Sequence, residues 1–213
     1  MFPRIACVVV ASCAFAATAV HADVSDALEV DIRLHVAPSI AARHITDRLK
    51  TETESIWAPY GIKLEWMDTE GVNLAAHGVC VDASIERRFE QRDRLEWPAP
   101  LGRAVVDADT PTWRPIHVSF DATERVLAGR TTGRLPSAAI VLDRELARAL
   151  GRVLAHEIGH VLLGGADHER TGLMRATFRG DELAGADRTP FRLTPHGVDR
   201  LAGRLRTLNG GSE

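Results

Sequence analysis

Residues 28–36, Leu-Glu-Val-Asp-Ile-Arg-Leu-His-Val, alternate apolar and polar side chains with period two. That is the pattern of a half-buried strand. Pro38 and Ser39 then open a helical stretch to about Trp57, in which Ile40, Ala41, Ile45, Leu49 and Ile56 recur at roughly helical spacing. Tyr60-Gly61 breaks it, and Ile62, Leu64 and Trp66 alternate again as a second strand. Val79–Ile85 reads as a short strand. A long irregular excursion follows, through the charged run Glu86–Glu96 and past Pro98 and Pro100. Ile116, Val118 and Phe120 alternate as a later strand, after which Asp121 is expected to cap a short helix through Leu127. Residues 129–136, rich in Gly, Arg, Thr and Pro, read as a loop. Ala138–Leu142 fits either a short strand or the lead-in to the next helix, because periodicity does not separate the two.

The next helix carries the clearest pattern. Asp143 suits an N-cap and Gly164-Gly165 a stop. Between them Leu146, Leu150, Val153, Leu154, Ile158 and Val161 share one arc, with Arg144, Glu145, Arg148 and Arg152 opposite. A last amphipathic stretch, Thr194-Pro195 through Leu205, uses Val198, Leu201 and Leu205. Strands and helices in this order predict one domain with mixed helix and sheet.

The N-terminus changes that picture. Residues 1–22 hold one charge, Arg4, before an apolar run from Ile5 to Val20 and the small-residue tail Val20-His21-Ala22. This is the layout of a cleaved secretory signal, with a cut expected after Ala22 and Ala17-Thr18-Ala19 as a rival site. The run is short for a membrane anchor. Val10-Ala11-Ser12-Cys13 also resembles a bacterial lipobox, which makes lipidation at Cys13 an alternative. Residues 23–213 then form the folded domain, exported to a secreted or periplasmic location. Of three cysteines, Cys7 and Cys13 leave with the signal and Cys80 stays alone, so no disulfide can staple the mature chain. A formal net charge of −3 gives no electrostatic case for nucleic acid or an anionic membrane. A monomer with no membrane span after signal removal is expected.

Chemistry concentrates at 156–160, His-Glu-Ile-Gly-His. Histidines four apart lie about 40° apart around a helix and one turn along it, so both imidazoles can meet one ion. Imidazole suits Zn2+, and a catalytic zinc keeps three protein ligands and an open position. Glu157 can reach a zinc-activated water without being a ligand. The rival reading is two packed or solvated histidines beside an ordinary surface charge. Past the glycine turn, His168 fits best as a third ligand, with Asp167, Glu169 and the more distant Glu182 as carboxylate alternatives. Gly172-Leu173-Met174 follows at short range. His35 and His117 sit in expected strands and point to solvent, while His44, His77 and His196 stand alone. No Gly-Xaa-Ser-Xaa-Gly elbow or phosphate loop occurs, which argues against a serine hydrolase or nucleotide enzyme.

His156-Glu157-Ile158-Gly159-His160, a glycine turn, His168 and Met174 resemble metzincin-type zinc endopeptidases. The tract Leu150–Gly164 with Gly172-Leu173-Met174-Arg175 is more similar still to a group of secreted bacterial proteins with such a site. The resemblance covers about residues 143–178. It implies an α+β, zincin-like single domain, with a small mixed twisted sheet, an N-terminal helix, a long active-site helix and a C-terminal helix. It also implies that His156, His160 and His168 bind Zn2+, that Glu157 is the general base, that Met174 lies beneath the metal, and that the substrate is a peptide or protein. Two departures stand out. The family's spacing would put Ala166 where the third ligand belongs and Leu163 where the turn glycine belongs, so the loop here is longer. The family's assisting tyrosine after the methionine has no counterpart, Tyr60 being the only tyrosine. The expected cleft has the 143–163 helix as its floor and a strand such as 115–120 along its upper edge. The alternatives are a zinc-binding but non-enzymatic scaffold or degenerate protease, a zincin with a carboxylate third ligand, and a protein with no metal at all.

Overall fold

The computed structural model describes residues 28–41, 44–67, 79–87, 100–106, 113–129 and 139–209. The expected signal segment, Cys7, Cys13, His77 and the expected loop at 130–136 lie outside these residues.

Among the described residues five strands form one sheet: β1 (Leu28–Val36), β2 (Ile62–Met67), β3 (Val79–Glu86), β4 (Gly102–Ala104) and β5 (Trp113–Ser119). Their order is β2-β1-β3-β5-β4. β1 pairs in parallel with β2 and β3, and β3 in parallel with β5. Only β4 runs antiparallel, with Gly102 opposite Val118 and Ala104 opposite Ile116, and it makes one edge of the sheet. The apolar positions expected to face inward, Val30 and Ile32 on β1, Val81, Ala83 and Ile85 on β3, and Ile116 and Val118 on β5, are all buried, and so is Asp31, which was expected on the polar face of β1. The opposite face carries His35 paired to Asp82 and His117 hydrogen-bonded to Ser84, both histidines part-exposed as expected.

Six helices accompany the sheet among the described residues: α1 (Pro38–Ala41), α2 (Thr46–Trp57), α3 (Phe120–Ala128), α4 (Ala139–Leu163), α5 (Gly180–Ala184) and α6 (Pro195–Asn209). The architecture is a single α+β domain. None of these helices is long and apolar enough to cross a membrane.

Several sequence expectations need correction. The helix expected from Pro38 to Trp57 is two helices, with His44 at φ 54° between them, a left-handed conformation that no continuous helix accommodates. Phe120 does not end a strand. Ser119 has extended backbone, accepts the Ala122 N–H at 3.2 Å and so caps α3 in place of Asp121. Ala139–Leu142 is helix, so Asp143 lies within α4 and does not cap it. Val198 is exposed, and α6 docks through Leu201 and the half-buried Leu205. Arg152 does not join Arg144 on a solvent face, because it is fully buried.

α2 and α4 pack closely along the site-bearing helix. A Cβ on Gly151 would come within 2.7 Å of the Leu49 carbonyl oxygen, so glycine permits the approach. Thr53 donates its hydroxyl to the Gly151 carbonyl at 3.1 Å, and Trp57 donates its indole N–H to the Ala155 carbonyl at 3.2 Å. Buried Arg152 donates to Glu52 Oε1 at 2.8 Å, to the Asp187 carbonyl at 2.9 Å, to the Leu183 carbonyl at 3.3 Å and to the Glu182 carbonyl. It also lies 4.3 Å over the Phe191 ring. One side chain thereby ties α2, α4, α5 and the segment after α5 together.

Candidate metal centre and cleft

His156, Glu157 and His160 are buried in the last two turns of α4. The helix stops at Gly164, whose φ of 66° favours glycine, and the N–H groups of Gly164 and Gly165 both return to the His160 carbonyl. That turn brings exposed His168 back over the helix. The ligand nitrogens of His156, His160 and His168 all lie within 4.8 Å of one another, the one such group of histidine, cysteine and carboxylate side chains among the described residues. The longer loop therefore does deliver His168 to the other two histidines. The carboxylate alternatives stand outside this cluster. Glu169 Oε2 accepts from Thr194 at 2.6 Å, and Glu182 is held by Arg175 and by the Arg179 N–H. Asp167 is exposed and stands outside the cluster.

The second nitrogens fix the rings. His156 Nδ1–H donates to the Leu173 carbonyl at 2.7 Å, and His160 Nδ1–H to the Gly165 carbonyl at 2.9 Å. With both Nδ1 atoms donating, both neutral rings turn an Nε2 lone pair inward, and the two Nε2 atoms are 3.0 Å apart. Two facing lone pairs repel unless a cation or a proton lies between them. Burial pushes the His156 pKa down to about 4 and the His160 pKa downward, and each is further lowered by neighbouring His168, so a shared proton is disfavoured. Neutral imidazoles oriented by carbonyl acceptors are the donor set and outer shell that divalent transition metals take. The residues present fit zinc.

The loop under the triad is pinned at both ends. Leu173 N–H bonds the Arg192 carbonyl and Glu169 N–H the Met174 carbonyl, each at 2.8 Å. Met174 is buried against Gly159, where an added Cβ would collide with its sulfur. This places the methionine against the helix between the two motif histidines. Tyr60 accepts the Leu193 N–H at 2.7 Å and takes no part in the cleft.

Glu157 is buried beside the triad. Loss of water pushes its carboxyl up to about 8, opposed by a hydrogen bond from the Ala104 backbone. A positive charge close by would favour its ionised form again. The carboxyl opens on a cavity of 520 Å³ shared with all three histidines and lined further by Leu101, Gly102, Val126, Val153 and Phe178, among others. Phe178 sets its ring edgewise to His156 at 5.5 Å and stacks on Phe191 at 5.3 Å.

The cleft's upper edge differs from expectation. β5, the strand at 113–119, is interior to the sheet, and the edge facing α4 is β4. β4 escaped the sequence reading because three residues, Gly-Arg-Ala, show no alternation. Cys80 is buried in the sheet and is the free cysteine of the described residues.

No protein-family model matches the chain, and no curated protein matches it. Among solved structures it is similar to an archaemetzincin from Methanopyrus kandleri, at 14% identity over 85% of this chain and 97% of that one, with a TM-score of 0.46. A likeness of that size leaves the function to be argued from the site's own geometry.

Proposed function

We propose that this protein is a zinc-dependent endopeptidase in which His156, His160 and His168 hold the metal and Glu157 is the general base. One observation carries the reading: three histidine nitrogens converge within 4.8 Å at the wall of a cavity that also receives a buried carboxyl. Zinc bound there would supply Lewis acidity, lowering the pKa of a water and polarising a carbonyl. His156 and His160 offer neutral Nε2 atoms, and their Nδ1–H bonds keep the rings from turning away. Glu157 accepts the proton of the attacking water and hands it to the leaving amine. Its apolar surroundings suit the second task, since they favour the protonated carboxyl. The protein's three histidines leave a fourth position for water or substrate, which favours the enzyme over a scaffold with a closed structural zinc.

Export is part of the same proposal and is supported by the sequence pattern of residues 1–22, followed by a domain over 23–213. The substrate class, a peptide or protein, follows from the open cleft beside an edge strand, to which an extended chain can pair. The test is removal and return of the metal. Chelation abolishes cleavage of an unstructured protein such as casein, and stoichiometric zinc restores it. Cleavage that persists through complete zinc removal refutes the proposal.

A further inference from the structure

β4 meets the general base in a way that depends on one glycine. Leu101 accepts from the Ser119 N–H and Val105 donates to the Pro115 carbonyl, so the odd-numbered positions of this segment bond to β5. The backbone groups of Gly102 and Ala104 therefore face the open edge of the sheet. There the Ala104 backbone lies beside the Glu157 carboxyl. At Gly102, two residues earlier on the same side of the strand, a Cβ would lie 2.7 Å from both Cγ and Cδ of Glu157 and nearer still to Oε1. Carbon atoms in contact normally sit about 3.5–4.0 Å apart. Any side chain at 102 must therefore displace the Glu157 side chain, which is mobile about its torsions, while both backbones are held by the sheet and by α4.

We propose that Gly102 is a positioning residue for Glu157. Its missing side chain is the slot in which the general base lies against the edge strand. Gly102 touches no metal ligand and does no chemistry. It acts on the reaction only through the placement of Glu157, and this role rests on the peptidase reading above.

Gly102→Ala is the variant to make, measured as the zinc-loaded full chain for kcat, KM and zinc affinity. The expected result is a fall in kcat of about tenfold or more, with zinc affinity within about threefold of wild type. A strand defect unrelated to Glu157 is separated by a melting cycle on the metal-free protein. Gly102→Ala is placed in the wild type and in Glu157→Ala, where the three atoms it would strike are gone. The melting shift is expected to shrink sharply in the second background. Should Gly102→Ala fail to fold alone, regained folding in the double variant supports the proposal, and failure of both overturns it. Wild-type kcat in Gly102→Ala, or equal melting shifts in the two backgrounds, also overturns it. Absence of cleavage by the zinc-loaded wild type overturns the peptidase reading and the Gly102 role together. Cleavage by the wild type with additive melting shifts overturns the Gly102 role alone.

Discussion

Replacing Arg152 with methionine removes a buried side chain that joins α2, α4, α5 and the segment after α5. The substitution keeps the volume roughly constant, so the cost is electrostatic and not a cavity. Glu52, itself buried, loses the Arg152 contact at 2.8 Å but keeps Arg188 at 2.7 Å on its other oxygen. Removing one partner of a buried ion pair costs about 3–5 kcal/mol. The remaining Arg188 contact argues for the lower part of that range, because half of the carboxylate stays compensated. Three carbonyls, of Glu182, Leu183 and Asp187, lose a donor, but Asp187 lies at the exposed surface and can turn to water. The expected loss is therefore about 3–4 kcal/mol in urea unfolding of the metal-free protein, with the m-value unchanged. Burial already depresses the Arg152 pKa, so the guanidinium is held at a cost that its partners offset. Removing both charges, in Arg152→Met with Glu52→Met, is then expected to restore at least half of the loss. A single-variant cost below about 1 kcal/mol would refute the argument, and so would a double variant as costly as the sum of the singles.

Two further outcomes follow from the site. His168→Ala is expected to weaken zinc binding by about 100-fold or more, while Asp167→Ala, Glu169→Ala and Glu182→Ala stay within a few-fold of wild type in competition with a chelating dye; a larger loss in any carboxylate variant reverses the ligand assignment. The second concerns pH. The Glu157 carboxyl is raised from 4.5 to about 8 in the folded chain, so the stability it contributes is present below about pH 4.5 and is lost as pH rises through about 8. The loss approaches about 5 kcal/mol as an upper bound. Metal-free Glu157→Gln lacks this slope and is expected to be the more stable protein at pH 9, with the two chemical-denaturation curves converging near pH 4.5. Parallel stability profiles would contradict the burial of this carboxyl.

The sequence showed the strands β1, β2 and β3 and the body of α4 because each buries one face, and burial of one face writes a period into the chain. What it hid has a physical cause in each case. The first turn of α4 carries Ile140, Val141 and Leu142 exposed to solvent, so an apolar run there signalled nothing about helix or strand. Arg152 reads as a solvent charge beside Arg148, and only Glu52, one hundred residues earlier on another helix, reveals it as a core residue. β4 is too short to alternate and is defined by its partner, β5. The motif histidines were legible because their ligand geometry is local to one helix turn. His168 was less so, since its approach depends on where the chain goes after Gly164. Nothing in the composition of residues 100–106 marked Gly102 or Ala104 as neighbours of Glu157.

The most direct test compares wild type and Glu157→Ala in the same samples, for zinc content by elemental analysis and for cleavage of an unstructured peptide substrate. One zinc per chain in both proteins, with cleavage in the wild type alone, is the predicted result. Equal cleavage by the two proteins, or one zinc per chain with no cleavage by the wild type, would contradict the account.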